Sequence, residues 1–205
     1  MKILIFASPR SGSTALTHAI NQLLDTPMIL EPYNILNIRG KSKKEIANLQ
    51  YNLPDNCIVK VLSKHKTRKF FAKYLKLFDK VIYLTKKDVG LAIESYYYAN
   101  KREEVNQEEF PGATKWHFTY TFNSTDVSID QWVTDYITFS IDEVKSVANS
   151  NKKSYIVYED LFSNDLDTFN QTVDSIGLDI DKKKLREMIH PNKKYRKEVK
   201  PKTIL

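Results

Sequence analysis

The chain has 205 residues, of which 41% are hydrophobic and 28% charged, and its formal net charge is +7. This composition is typical of a folded domain and excludes a disordered chain, and the length suits a single domain over residues 1–205. No apolar run approaches the ~18 residues of a membrane span, so we expect a cytoplasmic protein without one. Cys57 is the only cysteine, which excludes an intrachain disulfide and argues against a cysteine-based metal site.

A short apolar strand, Ile3–Ala7, is the first predicted element, and a helix is predicted over Ser13–Leu24. The loop between them reads Ser-Pro-Arg-Ser-Gly-Ser-Thr from position 8 to position 14. A loop that joins a strand to a helix N-terminus can surround phosphate oxygens with backbone N–H groups. We therefore predict a phosphoester-binding loop, whose members are Pro9, Arg10, Ser11, Gly12, Ser13 and Thr14.

This loop meets the Walker pattern G-x-x-x-x-G-K-[ST] only in part. Ala7 replaces the first glycine, and Ser13 stands where the lysine that reaches the β- and γ-phosphates belongs. Hydrolysis of ATP or GTP is therefore not expected. Arg10 lies three residues before Ser13 and can supply the missing positive charge.

Further along the chain, short apolar segments alternate with segments of helical periodicity. The other predicted strands are Cys57–Leu62, Lys80–Thr85 and Ser154–Tyr158. The other predicted helices are Lys43–Gln50, Arg68–Phe78, Val89–Arg102, Ile129–Val147, Leu161–Ile176 and Asp181–Ile189, and Ser128 with Gln131 predicts a capping box before the fourth of these. The alternation predicts an α/β fold, a three-layer sandwich with a central, mainly parallel sheet of about four to five strands, like that of P-loop-containing nucleotide hydrolases.

Two segments do not belong to this alternation. Residues 103–127 are polar and aromatic, and we expect them to form a substrate-contacting loop or lid. Between residues 182 and 202, ten Lys or Arg stand against Glu187 and Glu198, so this basic C-terminal region accounts for the net positive charge. It is interpreted as a solvated surface, a nucleic-acid patch or a clamp for a small polyanion.

Residues 9–14, Pro-Arg-Ser-Gly-Ser-Thr, together with Leu16 resemble the loop with which sulfotransferases bind the phosphosulfate of PAPS (3′-phosphoadenosine 5′-phosphosulfate). The arginine is closer to the carbohydrate and bacterial-type sulfotransferases than to the cytosolic enzymes, which carry lysine there. Val157–Leu161, Val-Tyr-Glu-Asp-Leu, resembles the family's YEDL element. The resemblance implies PAPS as the sulfuryl donor, PAP as the product and no requirement for a metal.

The segment Lys80–Asp88 and the helix after it resemble the family's element that binds the donor's 3′-phosphate through an Arg and a Ser. Here the serine is Ser95, and either Lys86 or Lys87, nine or eight residues before it, takes the place of the arginine. Lysine lacks the bidentate fork of arginine, so somewhat weaker donor binding is expected. The basic C-terminal region lies where relatives place more 3′-phosphate contacts, which assigns Lys193, Lys194 and Arg196 to the donor as well.

Sulfuryl transfer requires held reactants, a stabilised leaving phosphate and a group that removes the acceptor proton. Arg10 is assigned to the leaving phosphate. The resemblance offers two bases: Glu31, which matches the "EP" carboxylate of carbohydrate sulfotransferases, and His65, which lies where cytosolic enzymes carry a catalytic histidine. We favour Glu31, whose basicity partial burial would increase. Glu159 and Asp160 are expected to cap the following helix instead.

The sequence thus predicts a sulfotransferase that moves the sulfuryl group of PAPS to a hydroxyl of a carbohydrate or small-molecule acceptor. One alternative is a P-loop-type ATP-dependent kinase, against which Ser13 argues. The other is a non-enzymatic polyanion or nucleic-acid binder that uses the basic C-terminal region. On the favoured interpretation the partners are PAPS and the acceptor, and no nucleic acid is expected.

Overall fold

The structure is a computed structural model that describes residues 1–34, 38–63, 71, 73–93, 95–96, 126–151, 153 and 155–189. Its centre is a five-stranded sheet with the strand order β2-β3-β1-β4-β5. The strands are β1 (Lys2–Ala7), β2 (Met28–Leu30), β3 (Cys57–Leu62), β4 (Lys80–Thr85) and β5 (Ile156–Val157). Every pairing is parallel, so the predicted α/β class with a parallel sheet is confirmed.

Six α-helices with defined bounds accompany the sheet in the described residues. They are α1 (Ser13–Leu24), α2 (Lys43–Gln50), α3 (Asp126–Ser150), α4 (Tyr158–Leu161), α5 (Leu166–Ile176) and α6 (Lys182–Ile189). Residues 75–77 form one turn of 3₁₀-helix after helical residues 71, 73 and 74. Residues 89–93 and 95–96, the helical segment after β4, are also helical.

Both faces of the sheet are apolar and covered by helices, as continuous hydrophobic strands require. Ile3 and Ile5 of β1 point to the face that α1, α5 and α6 cover. Leu4 and Phe6 point to the opposite face, where they join the C-terminal half of α3 and the aromatic side chains of Phe71 and Tyr74. The alternation of side chains along β1 therefore places one core on each side of the sheet.

Several predicted bounds need correction. Helix α3 begins at Asp126, before Ser128, so the predicted capping box is wrong; Gln131 donates to Asp135 one turn later instead. The helix predicted from Leu161 to Ile176 begins only at Leu166, because Asp165 caps its start by accepting from the backbone N–H of Thr168 at 2.9 Å. Leu161 is instead the last residue of α4.

The sheet edges account for the other differences. The fifth strand is only Ile156–Val157, shorter than the predicted Ser154–Tyr158, and β2 was not predicted at all. Three residues are too few for a periodic signal, and β2 is defined by its pairing with β3. The predicted helices Arg68–Phe78 and Val89–Arg102 lie only partly in the described residues.

Candidate functional site

The loop after β1 lies at the carboxyl end of the central strand, between β3 and β4. Crevices at this end of parallel sheets are where α/β proteins bind ligands. The loop is closed by two hydrogen bonds: Ser8 N–H donates to the Leu84 carbonyl at 3.0 Å, and the Ser11 hydroxyl donates to the Ser8 carbonyl at 2.7 Å. Pro9 and Ser11 are buried, whereas Arg10 and Thr14 are exposed.

The backbone of this loop has the alternating conformation of an anion-binding concavity. Arg10 has φ 60° and Gly12 has φ 74°, both left-handed. Left-handed residues beside ordinary ones turn successive N–H groups toward a common point. Gly12 is also the N-cap of α1 and has no side chain with which to cap the first turn. The loop and the helix N-terminus therefore present N–H groups together, as phosphate sites do.

Gly12 lies against aromatic rings that follow β5. A Cβ atom at Gly12 would come within 2.8 Å of ring carbons of both Tyr158 and Phe162. These two rings stack, with centroids 4.2 Å apart and planes 26° from parallel. Glycine is thus required here both by the left-handed backbone and by the close approach of α4.

Arg10 reaches across to the helical segment after β4. Its Nε donates to the Ser95 hydroxyl at 3.0 Å. The two residues are 85 positions apart in the sequence, and the parallel pairing of β1 with β4 brings them together. Two residues from separate segments, both predicted to contact the donor's phosphates, therefore lie within hydrogen-bond distance of each other.

The two candidate lysines after β4 have different surroundings. Lys86 is only 8% exposed, and its ammonium lies 5.1 Å from the centroid of the Tyr158 ring. Lys87 is exposed, and its backbone N–H donates to Glu159 at 2.8 Å. Glu159 also accepts from the Asp88 N–H at 3.1 Å, so its predicted capping of the following helix is wrong: it binds the turn after β4.

Glu31 lies at the other side of the loop, where it is paired with a lysine of β3. The Lys60 ammonium donates to Glu31 Oε1 at 2.7 Å and to the Thr14 hydroxyl at 2.8 Å. Asn34 donates to Glu31 Oε2 at 3.2 Å. Glu31 itself has φ 50°, and its N–H donates to the Lys60 carbonyl at 2.7 Å. The favoured base is therefore connected to the phosphate loop through Lys60.

Lys60 is a site residue that the sequence analysis missed. It is 5% exposed and stands on the α1 side of β3, between Ile58 and Leu62. Lysine is almost never buried unless it is paired, so a lysine inside the run Cys-Ile-Val-Lys-Val-Leu was a detectable signal. Its partners were not detectable, since they come from α1 and from the residue after β2.

His18 lies on α1, one turn after Thr14. Burial lowers the pKa of His18 below its ordinary value, and the positive charge of Lys60 lowers the pKa further. The imidazole therefore stays neutral to a lower pH than a free histidine does. It contributes no positive charge to the loop near neutrality.

Three buried hydroxyls mark the same end of the sheet. Ser8 follows β1, Ser63 follows β3 and Thr85 ends β4; each is fully buried, and each hydroxyl has no partner among the described residues. Buried polar atoms without partners are uncommon and call for an explanation. Their concentration beside the loop indicates an edge organised around polar groups and not around apolar packing alone.

Several predicted site residues lie outside the described residues: His65, Lys193, Lys194 and Arg196. The same is true of 103–125 in the predicted lid, whereas 126 and 127 already belong to α3. Of the basic region 182–202, residues 182–189 form α6. Within the described ranges there is no group of three or more His, Cys, Asp or Glu that could hold a metal ion. No helix in the same part of the chain has the length and apolar character to cross a membrane.

Comparisons of the chain with models of protein families, with curated proteins and with solved structures found no match. The relation to sulfotransferases therefore stands on the motifs alone. The features that bear on function are those motifs and the geometry of the loop, Ser95 and the Glu31–Lys60 pair.

Proposed function

We propose that this protein is a sulfotransferase that takes the sulfuryl group from PAPS and transfers it to a hydroxyl of a carbohydrate or small-molecule acceptor. The observation that carries the proposal is the contact between Arg10 and Ser95. It joins the candidate 5′-phosphosulfate loop to the candidate 3′-phosphate element at one edge of the sheet. A donor with phosphates at both positions needs such a pair of adjacent anion sites.

The fold supports the same proposal. We propose that the sheet is a P-loop-type sheet, because the loop follows the central strand and its neighbours β3 and β4 lie on either side. The chain continues from β1 to β2 on one side of the sheet and from β4 to β5 on the other. The strand order thus reverses between β1 and β4, which creates the crevice in which such folds bind nucleotides. Ser13 in place of the Walker lysine and Arg10 in the loop favour a phosphosulfate over the phosphates of ATP.

In the proposed reaction Arg10 stabilises the leaving phosphate. The acceptor oxygen bonds to sulfur while the bond from sulfur to the bridging phosphate oxygen breaks, and the electron pair leaves on that phosphate. A guanidinium and backbone N–H groups aimed at this oxygen stabilise the charge where it develops. Gly12 keeps the backbone close enough for its N–H groups to take part.

Glu31 receives the acceptor proton in this scheme. The Lys60 ammonium, 2.7 Å from Oε1, keeps the carboxylate in the ionised form that a general base requires, but it opposes the increase in basicity that partial burial was expected to give. Lys60 also donates to Thr14, so the Thr14 oxygen acts as acceptor there and its proton is free to point toward a bound sulfate. The lysine thereby orients a base and a loop hydroxyl at the same time.

The test compares PAP, ATP with Mg²⁺ and a random oligonucleotide in a thermal-shift assay. PAP at about 100 times its Kd should raise Tm by about 5–10 °C, since ligand binding at that ratio adds about 2.7 kcal/mol to the unfolding free energy. Labelled PAPS with a panel of hydroxyl acceptors then tests transfer. Arg10→Ala should reduce transfer about 10²–10³-fold.

Each alternative function has its own outcome in this assay. Stabilisation by ATP with Mg²⁺ and not by PAP would replace the sulfotransferase with a kinase. Stabilisation by the oligonucleotide alone, with a steep salt dependence that survives Arg10→Ala, would indicate a polyanion binder. Ser42→Ala, at the N-cap of the remote α2, is the control, because it changes stability without touching the loop.

A further inference from the structure

Helix α4 and Phe162 contact both halves of the candidate site. On one side, the Tyr158 and Phe162 rings lie against Gly12 of the loop. On the other side, Tyr158 carries the Lys86 ammonium over its ring at 5.1 Å. The four-residue helix thus lies between the loop after β1 and the turn after β4.

Glu159 of the same helix fixes the turn after β4 through its backbone. Its two carboxylate oxygens accept separately from Lys87 N–H at 2.8 Å and Asp88 N–H at 3.1 Å. Asp88 in turn accepts from the Leu91 N–H at 2.9 Å, as an N-cap does. These three hydrogen bonds therefore define where the helical segment after β4 begins and in which direction it runs.

Ser95 lies in that segment, about two turns after its start, where it accepts from Arg10. The position of Ser95 relative to the loop depends on the direction of the segment, and a carboxylate that accepts two backbone N–H groups sets that direction more firmly than a neutral group does. A small rotation at Asp88 would move Ser95 away from Arg10. It would also move Ser95 relative to Lys86, which precedes the turn and is held over the Tyr158 ring.

We propose that Glu159 is a positioning residue for nucleotide specificity: it aligns Ser95 with Lys86 and the loop so that the site distinguishes a nucleotide with a 3′-phosphate from one without. This inference rests on the proposed function. It assigns no contact with the ligand to Glu159, whose two oxygens are occupied by the backbone of the turn.

The test measures Kd for PAP and for adenosine 5′-monophosphate, which lacks the 3′-phosphate, by calorimetry. Glu159→Gln replaces one acceptor oxygen with an NH₂ group that faces a backbone N–H. The preference for PAP, expressed as the ratio of the two Kd values, should fall about tenfold. Asp160→Asn is the matched control, because Asp160 is exposed on the same helix and should leave the ratio unchanged.

The outcomes separate this inference from the function on which it rests. If the wild type does not prefer PAP, the proposed function is wrong. If the wild type prefers PAP and Glu159→Gln keeps the full ratio, the positioning role is wrong. If Glu159→Gln does not fold, Glu159→Asp is used, because it retains the charge on a shorter side chain. This variant should lose preference for PAP and show faster amide hydrogen exchange at Lys87 and Asp88. An unchanged ratio of Kd values would overturn the inference.

Discussion

Two residues that the proposal places in the chemistry have a backbone conformation that side chains disfavour. Among the described non-glycine residues only Arg10, Glu31 and Asp25 have positive φ, and Asp25 merely ends α1. A left-handed conformation costs a residue with a side chain about 1–2 kcal/mol. Arg10 is held by Ser95 and Glu31 by Lys60. Backbone strain that is retained by such contacts is typical of functional sites.

Gly12 allows the steric part of this loop to be tested. Gly12→Ala should lower the unfolding free energy by about 2–4 kcal/mol, since the added Cβ combines a left-handed φ with overlap against Tyr158 and Phe162. Gly40→Ala is the matched control: Gly40 has φ +77° but nothing within 4 Å of an added Cβ. Its cost should be about 1 kcal/mol. Urea denaturation measures both.

The same pair of variants separates stability from binding. Gly12→Ala should also weaken PAP binding, because α4 and the loop must move apart, whereas Gly40→Ala should bind PAP as the wild type does. Equal losses of stability in the two variants would mean that the aromatic rings do not confine the loop.

At the scale of elements, the Lys60–Glu31 pair connects β3, the end of β2 and α1 around a single ammonium. The exposed fractions of the two side chains are 7% and 18%, so removal of either partner takes a close opposite charge away from a largely buried ionised group. We expect Lys60→Met and Glu31→Gln each to lower the unfolding free energy by about 2–4 kcal/mol. The double variant should lose clearly less than the sum, as a double-mutant cycle in urea would measure.

An exposed ion pair provides the control for this cycle. Asp55 lies 3.8 Å from Lys2 with its carboxylate in solvent, and Asp55→Asn should change stability by less than about 1 kcal/mol. If the losses of stability in the single variants add up to that of the double variant, Lys60 and Glu31 are energetically independent.

In the transfer assay Glu31→Gln should reduce turnover while PAP affinity stays nearly unchanged.

The elements that the sequence predicted well are those with long periodic signals. The bounds of α1, α2, β3 and β4 are confirmed as predicted, because apolar runs and helical periodicity are local properties of the chain. The strand β2 was missed because its three residues are defined as a strand by their pairing with β3, in which Leu30 lies opposite Lys60.

The candidate site follows the same division. The loop residues 8–14 were recognisable from local chemistry, and so was the turn after β4. The contact of Arg10 with Ser95 and the ion pair of Glu31 with Lys60 were not, because each joins residues that only strand order brings together. Glu159 was predicted to cap the following helix for the same reason: the groups that it binds, Lys87 and Asp88, lie 72 and 71 positions away.

At the scale of the whole molecule, the positive charge that organises the loop also makes folding sensitive to pH. Lys60 is buried between the sheet and α1, and His18 on α1 lies within its field. A second positive charge on this side of the sheet would be poorly solvated and would face an ammonium. The folded protein therefore takes up a proton at His18 less readily than the unfolded chain does, which couples protonation to global stability.

His18 predicts a loss of stability in mild acid. The unfolded chain binds a proton at His18 near pH 6.5, whereas burial and Lys60 lower the pKa of His18 in the folded state. Between these two pKa values the unfolded state binds more protons, so the unfolding free energy should decrease as the pH falls below about 6.5 and this contribution should level off below the folded pKa. His18→Gln should show a flatter dependence in urea titrations from pH 7.5 to 5. In Lys60→Met the pKa of the His18 ring, measured by NMR titration, should rise, since one of the two causes that lower it is removed. Identical titrations in that variant and the wild type would show that Lys60 has no electrostatic effect on His18.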